Sequence, residues 1–419
     1  MTKRKKILVK GPALSQTGYG EQTRFALRCL RSRPDLFEVY LINLEWGNSN
    51  HLIGDSKEKQ WITKNIATTN YLLQSNQIKT GRFVFDMSLQ VTIPNEFEKI
   101  APVNVGYTAG IETTMVSPAW LEKCNETMDR LVVISDHSKE VFEDTVHNIT
   151  DQTGAHNLGK LKLNIPCKSV NYSAKQRGSK DLGISFPSEF NYLVTSQWGP
   201  RKNFESTVAW FLEENYNKDV GLVLKTNFAK NCTMDRKHTI SILNNMLTPF
   251  KGRKCSVTLL HGYMDESEMQ SLYEHPQIKA FVNIAHGEGF GLPLFDAAAA
   301  GLPIITIGWS GQKDFLYKDG KEMFLPVDYI LKPVQQQAVW PGVIEKESKW
   351  AYANQSSYKR ALREVRKNYT TYKEQALELK EWVNTKFTEE NQYEQFVEGV
   401  WGSVPPDPQD VESEVVEYE

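Results

Sequence analysis

The sequence predicts an α/β protein of two Rossmann-like domains of similar size, facing each other across a cleft. Three observations point there. The chain has 419 residues, too many for one ordinary core and enough for two or three domains of ~100–200 residues. Short apolar, β-rich runs alternate with amphipathic helical stretches almost throughout, the pattern of βαβ units and parallel sheets. The alternation also comes in two series, separated by a polar stretch.

In the first series strands are expected at Ile7–Lys10, Glu38–Asn43, Phe83–Asp86, Val103–Tyr107 and Leu131–Ser135, with helices at Glu21–Arg31, Pro118–Met128 and Ser138–Asp144. From Val146 to Lys180 the chain carries "HNITDQTGAHNLGK" and "SAKQRGSKDLG", rich in Asn, Gly, Ser and Lys, and reads as irregular, with one short strand near Leu163–Pro166. The second series has strands at Tyr192–Ser196, Val220–Lys225, Ser256–His261, Ala280–Ile284 and Pro303–Ile307. Its helices are expected at Phe204–Glu214, Asp235–Leu247, Glu266–Tyr273 and Leu292–Ala300, and Ser357–Trp401 reads as two or three helices without a strand. The division is then a first domain over 1–180 running into a linker at about 146–190, a second over 190–390, a helix at 391–403 and a tail at 405–419. That tail, "PPDPQDVESEVVEYE", holds six acids and three prolines and reads as disordered.

A formal net charge of −2 gives no bulk pull toward nucleic acid or membrane. Five scattered cysteines, none in a Cys-x-x-Cys pair, read as reduced thiols. The start, "MTKRKKILVKG", is no signal peptide, and no apolar run approaches the ~20 residues that span a bilayer. A cytoplasmic location is the expectation.

The chemistry concentrates in "HGEGFGLPLFDAAAAG", His286 to Gly301. The strand "AFVNIA" runs into a glycine-rich turn and then a helix with Pro293 in its first turn, where a missing N–H costs nothing. Glycines 287, 289 and 291 permit close backbone approach to a ligand. Free N–H groups and the helix dipole make such a turn an anion site. Glu288 lies in the loop and Asp296 about one turn into the helix, so they face different parts of one ligand. A carboxylate accepts two hydrogen bonds from a vicinal diol, so the stretch suits a nucleoside diphosphate bearing a sugar. The plainer reading is a tight strand–helix turn with two incidental acids. Ala297–Ala300 read as close helix–sheet packing.

This segment resembles the signature of retaining GT-B glycosyltransferases, glycosyltransferase family 4 in particular: E-G-F-G-x-P-x-x-E-A-x-A-x-G-x-P-V, against "EGFGLPLFDAAAAGLPII" here. It implies a GT-B fold with the last helices, near Asn391–Trp401, crossing back onto the first domain. It also implies that Glu288 contacts the donor sugar and that Gly289, Phe290, Gly291 and Leu292 line the donor. Asp296 stands where the family has Glu for the ribose hydroxyls, one methylene shorter. In "VTSQWGPRKNFESTVAWF" the family's diphosphate-binding Lys falls on Lys202. Its Arg, five residues earlier, is replaced by Gln197, and Arg201 is the substitute. Cations at a helix start are unfavourable without an anion, which weakens the reading as a solvated basic turn.

"GPALSQTGYGEQTRFALRCL" lacks the third glycine of a dinucleotide fingerprint, and its glycines come late after the strand. The resemblance turns this loop toward the cleft, with Gly18, Tyr19 and Gly20 as donor-side candidates. In "VNVGYTAGIETTMVSPAW" it makes Thr108 and Glu112 acceptor-side candidates; a solvated loop acid is an equal reading for Glu112. "SDHSKEVF" reads as a helix capped by Ser135 or Asp136, with His137 at the surface. Tyr263 and Met264 fall on the family's nucleobase turn, or on ordinary core, and Lys225 and Thr226 edge the cleft. Two basic stripes, Arg24/Arg28/Arg31 and Lys359/Arg360/Arg363/Arg366/Lys367, are either solvated helix faces or, as in some family members, a site of peripheral membrane contact.

No Asp-x-Asp and no His/Cys cluster of metal-ligand spacing occurs, so no metal or cofactor is expected beyond the donor substrate. The expected activity is metal-independent transfer of a sugar from a UDP- or GDP-linked donor to an acceptor hydroxyl, with retention. The acceptor stays open between glycan, lipid, protein and modified nucleobase. The alternatives are a GT-B nucleotide-sugar-binding protein without turnover, a phosphorylase and an NAD-dependent oxidoreductase.

Overall fold

A computed structural model describes residues 4–47, 49–77, 84–150, 157–175 and 177–402. The acidic tail at 405–419 lies outside the described residues. The first half runs β1 (Lys5–Gly11), α1 (Gly18–Ser32), β2 (Phe37–Asn43), α2 (Lys57–Gln77), β3 (Met87–Val91), β4 (Val103–Thr108), α3 (Pro118–Thr127), β5 (Arg130–Val133) and α4 (Asp136–Asp144). A hairpin, β6 (His147–Thr150) with β7 (Asn157–Leu161), and β8 (Cys167–Ser169) follow. Six of these strands form a parallel sheet in the order β2-β1-β3-β4-β5-β8.

The second half runs β9 (Asn191–Thr195), α5 (Phe204–Asn215), β10 (Gly221–Lys225), α6 (Thr233–Leu247), β11 (Ser256–Leu260), α7 (Glu266–Tyr273), β12 (Ile278–Asn283), α8 (Leu292–Ala300), β13 (Ile304–Thr306) and α9 (Lys313–Leu316). The short pair β14 (Tyr317–Lys318) and β15 (Lys321–Glu322), then β16 (Leu325–Pro326), come next. An antiparallel ribbon of β17 (Tyr329–Pro333) and β18 (Lys349–Ala353) leads into α10 (Gln355–Lys367), α11 (Tyr369–Lys386) and α12 (Glu389–Trp401). The second sheet is also parallel, in the order β11-β10-β9-β12-β13-β16.

Near-continuous apolar strands such as "KKILVKG" and "IKAFVN" fit sheets covered on both faces. Helix starts carry their own signals: Thr17 caps α1 by accepting from Gly20 N at 3.2 Å, and Ser135 caps α4. Asp265 and Glu268 form a complete capping box on α7.

α12 closes the chain back onto the first half. Its Phe396 is fully buried and meets Phe25 of α1 at 5.6 Å and Tyr107 of β4 at 4.9 Å, ring centre to ring centre. The aromatic seam continues through Tyr172, 5.2 Å from Phe25, to Phe290, 5.2 Å from Tyr172. One core therefore runs through both halves. The arm around β17–β18 adds a second tie: Asn95 donates to the Gly342 carbonyl at 2.9 Å, and Thr114 N to the Lys349 carbonyl at 3.0 Å.

Several expectations are corrected. The strand expected at Phe83–Asp86 is β3, Met87–Val91; Phe83 itself lies outside the described residues. Ser88 and Gln90 disguise β3, because both are polar yet fully buried; Ser88 donates to Asn104 and Gln90 to the Glu98 carbonyl. The strand expected near Leu163–Pro166 is β8, Cys167–Ser169. Helix α2 has no counterpart in the sequence reading. Its "TKNIATTN" core is poor in strong helix formers, and tertiary contacts hold it: Thr69 Oγ1 accepts from Leu41 N at 2.9 Å, and Asn65 donates to the Val39 carbonyl at 2.8 Å. The β17–β18 ribbon was likewise not anticipated. Both basic stripes keep exposed members, Arg31, Arg360, Arg363 and Lys367, as solvated helix faces do, and they pair with acids nearby. Arg28 pairs with Glu21 and Glu58, Arg31 stacks 4.2 Å over Trp61, and Lys359 and Arg363 pair with Glu213 and Glu214. Among the described residues no helix is long and apolar enough to cross a membrane.

Two outcomes follow. Phe396→Ala removes the central ring of the seam and should cost about 3–5 kcal/mol in urea unfolding. Asp314 of α9 accepts from Asp136 N, at the start of α4, at 2.9 Å and from Asn171 at 2.7 Å. Burial holds its carboxyl up at about 6 despite these bonds. The folded state therefore binds a proton that the unfolded chain has released, so this group's contribution to stability falls as pH rises from about 4 to about 6 and is flat above. Asp314→Asn should abolish that component, at most about 3 kcal/mol, in melting curves recorded across this range.

Candidate active site

In the second sheet the strand order reverses between β9 and β12, the point where open parallel sheets hold ligands beyond their carboxyl ends. After β9, the turn Pro200–Lys202 presents Arg201 and Lys202, and Asn203, left-handed at φ +52°, redirects the chain into α5. After β12 comes the glycine loop. Gly291 at φ +93° sets the start of α8, and Pro293 follows in its first turn.

Glu288 sits between these two loops and is only 4% exposed. Lys202 Nζ lies 2.6 and 2.7 Å from its two oxygens, Arg201 Nη1 donates at 3.1 Å, and Asn283 Nδ2 at 3.0 Å. Burial pushes the carboxyl up, but the Lys202 ammonium and the Arg201 guanidinium outweigh it and bring the group down to about 2. Arg201 spans the cleft. Nη1 donates to the Gly287 carbonyl at 2.6 Å, and Nη2 lies 3.1 Å from Glu112 of the first half. Burial, and Arg201 beside it, lower the Lys202 ammonium.

The backbone around Glu288 is equally constrained. Its N–H donates to Ser310 Oγ at 2.9 Å, and its carbonyl accepts from Gly311 N at 2.9 Å. Ser310 is fully buried at φ +69°, a strained conformation for a non-glycine residue. A methyl group on Gly289 would stand 2.7 Å from the Ala109 carbonyl, and one on Gly287 would strike the Glu112 carbonyl. The glycines thus let the loop lie against the backbone of the opposite domain.

The other expected residues divide. Tyr19 donates or accepts at 2.8 Å with Thr108 and packs on Trp46, so Tyr19 and Thr108 form one cluster on the first domain's side. Gly20 is required by the Ser15 carbonyl beside it, whereas Gly18 faces open space. Lys225 donates to the Gly262 carbonyl at 2.5 Å, next to Tyr263 and Met264, and burial lowers its ammonium to about 8. Tyr263 is 41% exposed, Met264 packs partly on the core, and the buried Thr226 hydroxyl has no partner among the described residues. Leu292 is half-buried at the start of α8.

Two expectations change. Phe290 belongs to the core: it is buried among Tyr172, Phe295 and Phe315, so only its backbone can face a ligand. Asp296 is already paired, with Arg177 Nη1 at 2.8 Å. Burial raises its carboxyl, offset only in part by Arg177. Around it Lys175 bridges Glu21 and Glu266, and these side chains line a cavity of about 110 Å³ between α1, α7 and α8. His137 is not a surface residue: it packs on Trp309 across the cleft, ring centres 5.2 Å apart, and burial lowers its imidazole to about 4.

Sequence reasoning missed Asn283, Ser310, Gly311, Lys175 and Arg177. "GWSGQ", a glycine-bracketed turn after a strand, was the available signal for Ser310 and Gly311. A polar residue ending the apolar run "AFVN" was the signal for Asn283. Nothing local marks Arg177, whose partner lies more than a hundred positions away. Among the described residues no group of three or more His, Cys, Asp or Glu is arranged to hold a metal ion.

Residues 242–396 match a family described as "Family 4 Glycosyltransferase in conflict systems". No curated protein sequence matches the chain. Solved structures do. Sucrose-phosphate synthase from Thermosynechococcus elongatus superposes at a TM-score of 0.60 and 13% identity, covering 94% of this chain and 97% of that one. Anabaena HepE, solved in complex with UDP and glucose, gives 0.56 at 12%, over 94% and 99%. A glycosyltransferase from Rickettsia africae gives 0.56 at 11%, over 96% and 100%. The chain has the GT-B fold.

The glycine contacts across the cleft make a direct prediction. Gly287→Ala should push the two domains apart, raise the radius of gyration in small-angle scattering and cost about 1–3 kcal/mol. Gly18→Ala, where nothing lies within 4 Å, should change neither. Identical scattering from both variants would show that the loop is not packed against the opposite domain in solution.

Proposed function

We propose that this GT-B protein, part of which matches a family 4 glycosyltransferase, transfers a sugar from a nucleoside-diphosphate sugar to an acceptor hydroxyl with retention of configuration. The observation that carries the reading is the arrangement of Glu288, Lys202 and Arg201 at the strand-order reversal, beside the start of α8. The structures of HepE with UDP and glucose support the choice of donor class.

In this reading the diphosphate takes the two cations from Glu288. Lys202, Arg201 and the first amides of α8 stabilise the charge that grows on the leaving phosphate, the part a divalent ion plays in other transferases. Released from its ion pairs, Glu288 accepts hydrogen bonds from the sugar hydroxyls. Asp296 accepts from the ribose, with Arg177 beside it. The acceptor oxygen forms its bond to the anomeric carbon on the face from which phosphate departs. The carbon–phosphate oxygen bond breaks, and the acceptor's proton passes to the departing phosphate. With the departing phosphate taking the acceptor's proton, Glu288 has a holding role and need not act as a base. Closure of Glu112 onto Arg201 excludes water and limits hydrolysis.

The test is release of UDP or GDP from a panel of nucleotide sugars. Glu288→Gln and Lys202→Ala should each lower release by roughly 10²–10³-fold. A chelator should leave the rate unchanged, and the product's anomeric proton should keep the donor's coupling constant in NMR. Full activity in Glu288→Gln would sink the assignment of that residue.

A further inference from the structure

The segment Trp309–Asp314, "WSGQKD", stands between the glycine loop and the first domain. On one side it holds the backbone of Glu288: Ser310 Oγ takes the Glu288 N–H and Gly311 N donates to the Glu288 carbonyl, each at 2.9 Å. The approach is close. A methyl group on Gly311 would stand 2.0 Å from the Gly289 carbonyl, and one on Gly287 would stand 2.9 Å from the Trp309 ring. On the other side, two consecutive residues of the first domain meet the two ends of the segment. The His137 ring packs edge-on against Trp309, and Asp136 N donates to Asp314 Oδ2 at 2.9 Å. Asn171 Nδ2 donates to the same oxygen at 2.7 Å and to the Ile134 carbonyl at 3.0 Å.

Asp136 is the first residue of α4, where the backbone N–H has no partner inside the helix. A carboxylate from the second domain therefore takes this N–H as a capping side chain would, and the positive end of the helix dipole favours it. The path from Asp314 to Glu288 is short and buried. Asp314 N donates to the Gly311 carbonyl at 3.4 Å, Ser310 Oγ meets Gln312 Oε1 at 2.9 Å, and Gln312 Nε2 donates to the Ile307 carbonyl at 3.2 Å.

We propose that Asp314 is a positioning residue that carries closure of the cleft to Glu288. When the start of α4 meets Asp314, the segment is pinned at both ends and the Glu288 backbone is fixed. When the domains part, Asp314 loses both donors, Trp309 loses its ring partner, and the glycine loop is released. Glu288 is then held for the sugar only in the closed form, so turnover is confined to an enclosed donor. The role in catalysis rests on the transfer reading; the link between α4 and the glycine loop does not.

Proline is well tolerated at the first position of a helix, and Ser135 before it is already extended at φ −154°, ψ 157°. Asp136→Pro thus removes the N–H that Asp314 accepts and keeps α4. Hydrogen–deuterium exchange over His286–Gly291 should be roughly tenfold faster or more in Asp136→Pro and in Asp314→Ala than in the wild type, with exchange over β10 unchanged. Asp314→Asn, whose amide oxygen can accept the same bonds, should exchange at the wild-type rate. With a nucleotide sugar as substrate, kcat should fall roughly tenfold in the first two variants while the donor KM stays within about twofold, and Asp314→Asn should restore kcat. Equal exchange over His286–Gly291 in all four proteins, or faster exchange over β10 as well, would overturn the link. A loss of kcat in Asp314→Asn as large as in Asp314→Ala would overturn the positioning role. A wild type that releases neither UDP nor GDP from any nucleotide sugar sinks the transfer reading and the catalytic role with it, and the exchange rates still decide the link.

Discussion

A carboxylate buried among cations organises this protein. Glu288 cannot stand ionised in the interior without partners, because an isolated buried charge costs far more than folding can offset. Lys202, Arg201 and Asn283 supply those partners, the first two from the turn after β9 and the third from the last position of β12. β9 and β12 must therefore lie side by side, as their pairing through Tyr192 and Ala280 makes them do. The strained Ser310 is a further consequence: it is held left-handed so that its hydroxyl can take the Glu288 N–H.

The same cluster decides how the two domains meet. Arg201 is shared between Glu288 and Glu112, so the ion pairs extend across the cleft. The glycine loop lies flat against Ala109–Glu112 because no side chain intervenes. Away from this contact, the aromatic seam through Phe396, Phe25, Tyr172 and Phe290 and the charged cluster around Lys175 and Arg177 tie the domains at a different place. In the proposed transfer, a donor entering the cleft would compete for cations at both. Glu288 and Asp296 are each paired in this structure, and each would have to release its partner in part to accept a hydroxyl. In that reading binding and domain geometry are coupled.

Both sheets and most of their helices were legible locally. Apolar strands buried on two faces announce themselves as unbroken runs, and α8 was bounded correctly because Gly291, Pro293 and Gly301 mark its ends. Failures came where tertiary contacts override local preference. β3 hides behind Ser88 and Gln90, whose burial depends on partners elsewhere, and α2 is a helix because β2 and its neighbours hold its Asn and Thr side chains. The basic stripes do carry surface charge, as read locally, but most of the acids that pair with them come from other elements.

The sequence by itself determined the two parallel sheets, the glycine turn at the head of α8 and the identity of Glu288, Lys202 and Arg201 as the residues to watch. These are written in short windows, where spacing and residue type suffice. Only the tertiary structure decided what those residues touch. It put Glu112 on Arg201, turned Phe290 into the core and gave Asp296 to Arg177. Each of these joins segments far apart in the chain, and the energy of a buried charge or ring depends on what packs around it, which no local window contains.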